Sequence, residues 1–430
     1  MFNIKKHITR KAARKISSES IFSKNQISIL GLLLSTVASV GMPDLANADT
    51  VGSIYLNTPA SEPDLIPLGT PAFMKVFDAE TLTLKAVASV LEKPHHIYKI
   101  PFQNKAYIAH FGPTASIQVI DLFTNLITKD IATGTGPRHM TFTADGKSVW
   151  TANLDGNSVS HINTVTDTLI STSPTGLKPN YVELAGGYAF VSNLGQSSLT
   201  VLDASTGAFV KDVPVGKFPF NMAVTCDGST VISANTGTND LSFVDVETLQ
   251  ETARVSIMGP LSISQLSATT KQRLNPRILP DCKYVWVGNQ ASGVFAVVDI
   301  ALRKLVAEVP SAGSGGGSDI VFYIHGGPAH DLLIGTNRYS AFTTVINPKP
   351  PFNVLKRIPA GNGTHYVMFD QYYKKAYVSS RLAGTFSVYD LETLNEESRV
   401  TTDIPGLDQA YYIWKEDGNF SYHPESGGAK

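Results

Sequence analysis

Beyond residue 50 the chain consists of short runs in which apolar and polar side chains alternate, rich in Val, Ile and Thr and interrupted by Gly, Asn and Asp. A period of two is that of a half-buried strand, so the pattern predicts β-strands joined by tight turns rather than helical repeats. One such run recurs and ends each time in an acid or Asn: Val76-Phe77-Asp78, Val119-Ile120-Asp121, His161-Ile162-Asn163, Val201-Leu202-Asp203, Phe243-Val244-Asp245, Val297-Val298-Asp299, Val345-Ile346-Asn347 and Val388-Tyr389-Asp390. These eight copies stand 43, 42, 40, 42, 54, 48 and 43 residues apart. A period of that size means one supersecondary unit per copy, such as a four-stranded propeller blade. The predicted fold is all-β, a β-propeller of eight four-stranded blades. Seven blades is the alternative, because Ser314-Gly315-Gly316-Gly317-Ser318 leaves one inner strand poorly defined.

The ends of the chain predict how the ring closes. Residues 51 to 57 already have the pattern of a second strand, and Ala410 to Gly418 has that of an inner strand with an Asp-Gly turn. The C-terminal strand is therefore expected to complete the first blade and leave no open edge.

The cleanest copy runs from Gly136-Pro137-Arg138-His139 through the turn Asp145-Gly146 to Val149-Trp150-Thr151-Ala152-Asn153 and on to Asn163. It resembles the secreted β-propellers with YVTN repeats, and Asn193, Asn235 and Asn289 repeat the ending of its second strand. The likeness covers nearly all of residues 51 to 420. It implies a propeller fold, which serves binding, scaffolding and catalysis alike.

In such a ring, function concentrates on the face where one blade's outer strand crosses to the next blade's inner strand. A hairpin symmetric about Gly146 sets His139 opposite Asn153. The same relation pairs His96 with His110, Asn221 with Asn235, Asn275 with Asn289 and Tyr366 with Ser380. The rim candidates for ligand binding are accordingly His96, His110, His139, Asn153, Asn221, Asn235, His365 and Tyr366. The recurring Asn residues read as turn architecture. The histidines break the repeat, and His96, His110 and His139 on neighbouring blades form the candidate set for copper or zinc. By alternation His95 points to the other face of its strand. Arg138, Arg273, Arg338 and Arg381 map to the same rim and favour a small anion.

Composition narrows the partners. The first 48 residues hold seven Lys/Arg and two acids, leaving 28 bases against 34 acids, a net −6 for the rest. Nucleic acid is thereby disfavoured as a partner. A basic stretch to Lys24, an apolar run from Ile27 to Met42 and Ala46-Asn47-Ala48 have the form of a signal peptide. Residues 1–48 are expected to be removed, leaving a single propeller domain over 49–430, with no membrane span, in the periplasm or outside the cell. Cys226 and Cys282 are the only cysteines. They fall in equivalent turns of adjacent blades, where export permits a disulfide.

Two function classes follow. One is a non-catalytic accessory propeller that binds a protein partner or a small ligand at the channel mouth, as the family resemblance implies. The other is a His-ligated copper or haem-associated oxidoreductase. Its layout is similar to the propellers of nitrous-oxide reductase and cytochrome-type nitrite reductases, without their separate copper or cytochrome domains. Lactone hydrolysis is a third option to which no acid and base can be assigned.

Overall fold

The computed structural model describes residues 52–58, 71–266, 273–311, 317–324, 331–402 and 410–422. The expected leader, residues 1–48, lies outside them. Among the described residues the chain forms eight antiparallel sheets, seven of four strands and one of five, with one short helix. The inner strands touch one another in order around a closed ring. It is an eight-bladed propeller, and the seven-bladed alternative is set aside. The inner strand following the Gly-rich stretch is present as Ser318–Ile324.

Blade 1 is completed as the chain ends predict. Ala410–Glu416 pairs with Ser53–Thr58, with Ser53 opposite Ile413 and Leu56 opposite Ala410. The Asp417-Gly418 turn does not lead to a second blade strand. Both residues adopt positive φ (50° and 80°), a conformation suited to a tight two-residue hairpin, and the chain folds back as a fifth strand, Asn419–Ser421. That strand is anchored to blade 2, where the Phe420 amide donates to Asn104 Oδ1 at 2.9 Å.

The local chemistry of each blade follows from the repeat. Every acid or Asn that ends a third strand accepts from backbone amides two or three residues on, as at Asp121 (Phe123 at 3.0 Å, Thr124 at 2.8 Å) and Asn163 (Val165 at 2.9 Å, Thr166 at 3.0 Å). The same turn occurs at Asp78, Asp203, Asp245, Asp299, Asn347 and Asp390. These residues hold the turn to the outer strand, as architecture rather than catalysis. Alternating apolar residues of neighbouring blades interdigitate into clusters such as Ile232, Leu241, Phe243, Val285 and Val298, all fully buried. The two wide spacings have separate sources. The interval of 54 holds the helix Pro260–Gln265, whose Leu261 and Ser262 amides donate to the Glu308 carboxylate at 2.9 and 2.8 Å; the interval of 48 holds the Gly-rich stretch.

Cys226 and Cys282 form a disulfide between blades 5 and 6, with Cα atoms 5.9 Å apart. It lies at the turns between inner and second strands, on the face away from the starts of the inner strands.

Candidate functional site

The site is shaped by one device repeated at the start of six inner strands. Pro94 lies opposite His110, yet Ile97 lies opposite Ile108, so three steps on one strand match two on the other. One residue is extra, a β-bulge. The same shift occurs after Pro137, Pro179, Pro219, Ser318 and Thr364. In all six blades the preceding residue is left-handed: Lys93, Gly136, Lys178, Phe218, Gly317 and Gly363, with φ from 51° to 77°. Glycine takes that conformation freely, whereas Lys and Phe there carry strain of about 1 kcal/mol or more.

The bulge overturns the hairpin symmetry expected from spacing. His110 faces Pro94 rather than His96, Asn153 faces Pro137 rather than His139, and Asn235 faces Pro219 rather than Asn221. Asn275 faces Gly288 in the one inner strand of this series without a bulge, and Tyr366 faces Ser379. The extra residue also breaks alternation, so His95 does not point away from His96. Their rings stack 3.6 Å apart at 11°.

His139, from the equivalent bulge one blade on, meets both rings at 5.1 and 5.0 Å between centroids. The three offer ligating nitrogens within 4.8 Å of one another. Tyr98 supports them from below: its hydroxyl lies 2.8 Å from His96 Nδ1 and 3.4 Å from His139 Nδ1. Burial pushes that hydroxyl well above its ordinary value. His110, expected in this set, instead packs at the base of its hairpin. Its Nδ1 lies 3.2 Å from the Glu92 carbonyl, and burial pushes the ring down to about 4.

Around the rest of the ring, residues at the starts of the inner strands join side chain to side chain. Arg138 donates to Asn180 Oδ1. Asn180 donates to Asn221 Oδ1 at 3.1 Å, Asn221 to Asn275 Oδ1 at 2.7 Å, and Asn275 to Asp319 Oδ1 at 2.7 Å. Asp319 Oδ2 then lies 2.5 Å from His365 Nδ1 and 3.4 Å from Arg338, while Gln290 donates to Oδ1 at 2.6 Å. This polar belt crosses six consecutive blades. Burial alone would raise Asp319, but the His365 ring and the Arg338 guanidinium overcome it and hold the carboxyl at about 2.

The imidazoles and the belt residues other than Asn180 wall an axial cavity of about 490 Å³. Of the expected residues, His96, His139, Asn221, His365 and Tyr366 line it, and His110, Asn153 and Asn235 do not. Asn153 and Asn235 are clamps. Asn153 Nδ2 donates to Ser158 and Ser160 at 3.0 Å, and Asn235 Nδ2 to Asp240 and Ser242 at 2.7 and 2.8 Å. Six cations face the cavity (Lys93, Arg138, Arg273, Arg277, Arg338 and Arg381) against three acids, Asp155, Glu183 and Asp319. Phe111, Phe220, Tyr181 and Tyr366 add aromatic surface. Sequence reasoning missed Asp319, Asn180 and the inward turn of His95. All three follow a left-handed residue by two positions, and counting from that residue instead of from the hairpin turn would have found them.

Residues 122–256 match the family described as Lactonase, 7-bladed beta-propeller. That span is less than half of the chain and does not bear on the number of blades. A comparison with curated proteins finds no match. Among solved structures, the chain is similar to the dihydro-heme d1 dehydrogenase NirN in complex with DHE, with a TM-score of 0.64, 13% identity, and coverage of 84% of this chain and 74% of that one. It is also similar to a functionally unknown protein from Desulfotomaculum acetoxidans, with a TM-score of 0.53, 12% identity, and coverage of 73% and 100%. At these identities the likeness is one of fold.

Proposed function

We propose that this protein is an exported propeller that binds a small carboxylate-bearing ligand in its axial cavity without turning it over. The observation that carries the reading is the excess of cations in the cavity wall, six against three, on a body whose charge beyond the leader is −6. A cleft lined by one sign of charge focuses its field on the opening, and guanidinium groups pair with carboxylates in a two-pronged geometry. The volume lies in the range of about 300 to 1,000 Å³ usual for small-molecule sites, and the aromatic walls suit an extended apolar body. Asp319 is fixed by four neighbouring side chains, which makes it part of the framework of the cavity wall. The Cys226–Cys282 bridge supports an oxidising compartment.

A haem is the first ligand to try, since it carries carboxylates and the similar solved propeller is a dihydro-heme d1 dehydrogenase. Thermal-shift titration with haem and with a series of di- and tricarboxylates, at low and high salt, tests the reading. Stabilisation should be saturable, weaker at high salt, and reduced in an Arg273→Gln, Arg381→Gln variant. Stabilisation by none of these ligands, or by an amount that the variant leaves unchanged, would reject it. Export is tested separately by N-terminal sequencing of protein recovered from its host, where Asp49 is the expected first residue.

A further inference from the structure

We propose that His95, His96 and His139 bind one divalent transition-metal ion, copper or zinc, with a coordination position left open to the cavity. The placement argues for it. Adjacent residues of a strand ordinarily point to opposite faces, so two neighbouring imidazoles on one side require the bulge after Pro94. The corresponding bulge after Pro137 brings His139 to the same point from the next blade. Two or three positions after the left-handed residue of later blades stand Asn180, Asn221 and Asp319, residues of the hydrogen-bonded belt. The three imidazoles lie together in the sector of blades 2 and 3.

The distances are compatible with a shared ion. Bonds of about 2.0 to 2.1 Å in a tetrahedral site separate ligating nitrogens by about 3.3 Å. The nitrogens lie within 4.8 Å of one another, so inward rotation of the rings by about an ångström suffices. His95 and His139 are buried and His96 is half-buried, which sets the group in the wall with one side towards the cavity. Tyr98 acts as the outer partner. A ring that donates Nδ1–H to its oxygen keeps the lone pair on Nε2, the form that ligates. Three imidazoles without thiolate suit copper(II) or zinc and leave one position for water or a carboxylate. This inference does not depend on the anion-binding reading.

The test uses the mature chain stripped of metal with a chelator. Calorimetric titration with Cu²⁺ and Zn²⁺ should show one ion per chain, and the electron paramagnetic resonance of the Cu²⁺ form should show coupling to imidazole nitrogens. His139→Ala and His95→Ala should each weaken binding more than a hundredfold, and Tyr98→Phe about tenfold, the range of outer-partner losses. His161→Gln, at a buried ring stacked on Trp150, should bind as the wild type does. Absence of binding, a copper spectrum without imidazole nitrogen, or equal affinity in His139→Ala would overturn the site. If a variant fails to fold, the wild-type spectrum alone decides. Carboxylate stabilisation that persists in the chelated protein while metal binding fails rejects this site and leaves the anion-binding reading standing.

Discussion

His110 stands where five other blades carry Asn153, Asn193, Asn235, Asn289 and Asn337, and it is fully buried. Burial pushes its ring from 6.5 down to about 4, only partly offset by the Glu92 and Leu91 backbone, the charge of Asp130 and Gln118. In the unfolded chain the same imidazole titrates near 6.5. Between these values the unfolded state takes up a proton that the folded state does not. Stability from this group is therefore complete above about pH 6.5 and falls as the pH drops towards 4. At about 1.4 kcal/mol per unit over about 2.5 units, the full loss is on the order of 3 kcal/mol. His110→Asn restores the residue of the other blades, facing Ser116 and Gln118 as Asn153 faces Ser158 and Ser160. It should remove that loss. Urea denaturation of both proteins at pH 7, 6, 5 and 4.5 isolates the effect, because every other titrating group is common to the two. The stability difference should move in favour of the variant by about 2 kcal/mol between pH 7 and 5. Parallel decline of the two proteins, or an NMR midpoint for His110 at or above 6, would refute the reasoning.

The disulfide closes a loop with a sequence separation of 56, worth about 4 kcal/mol in the chain-entropy account, so a Cys226→Ala, Cys282→Ala variant should melt several degrees lower. Thiol counting in denaturant should find none before reduction and two after it; two free thiols in the untreated protein would reject the bridge. Deletion from Ala410 onward strips blade 1 of its inner strand and should cause aggregation or uncooperative unfolding, and a truncated chain with unchanged melting would contradict the closure. Gly134→Ala places a methyl 2.5 Å from Asn153 Nδ2 and 2.6 Å from Ser158 Oγ, displacing the clamp. A loss of about 1 to 3 kcal/mol in denaturant titration is expected, and wild-type stability would show that the clamp is dispensable.

The ring itself was legible because its causes are local and repeated. Each Asx turn, each alternating strand and each closing pattern at the chain ends can be read in a window of a few residues. The site was half legible for the same reason. His96, His139, Asn221, His365 and Tyr366 were placed at the cavity because they begin inner strands, whatever the register. The pairings failed because they assumed an unbroken ladder. One additional residue after Pro94 or Pro137 reverses the direction of every side chain before it, and its marker is a backbone angle rather than a residue type. Lys93, Lys178 and Phe218 adopt left-handed backbone where Gly would have announced it. Asp319 was hidden differently, behind a Gly-rich stretch that looked like a loop and ends in the left-handed Gly317.

The pairing of Ser53 with Ile413 sets a schedule for folding. Strands within blades 2 to 8 pair with neighbours a few residues away, so each blade can assemble as soon as its own segment is available. Blade 1 is different: its second strand is among the first made, and the strand beside it is among the last. Loop-closure entropy grows only with the logarithm of the span, so the cost at equilibrium is modest, but the wait is long. Until residue 416 is available, the edge of Ser53–Thr58 is a template for strand exchange with another chain at the same stage. Circular permutation that starts the chain at Pro94 and joins the present ends would make this last contact one between segments near each other in the chain and move the late-closing seam to the junction between blades 1 and 2. Concentration-dependent dimers formed on refolding should become rarer in that permutant, although every interaction within the finished ring is the same.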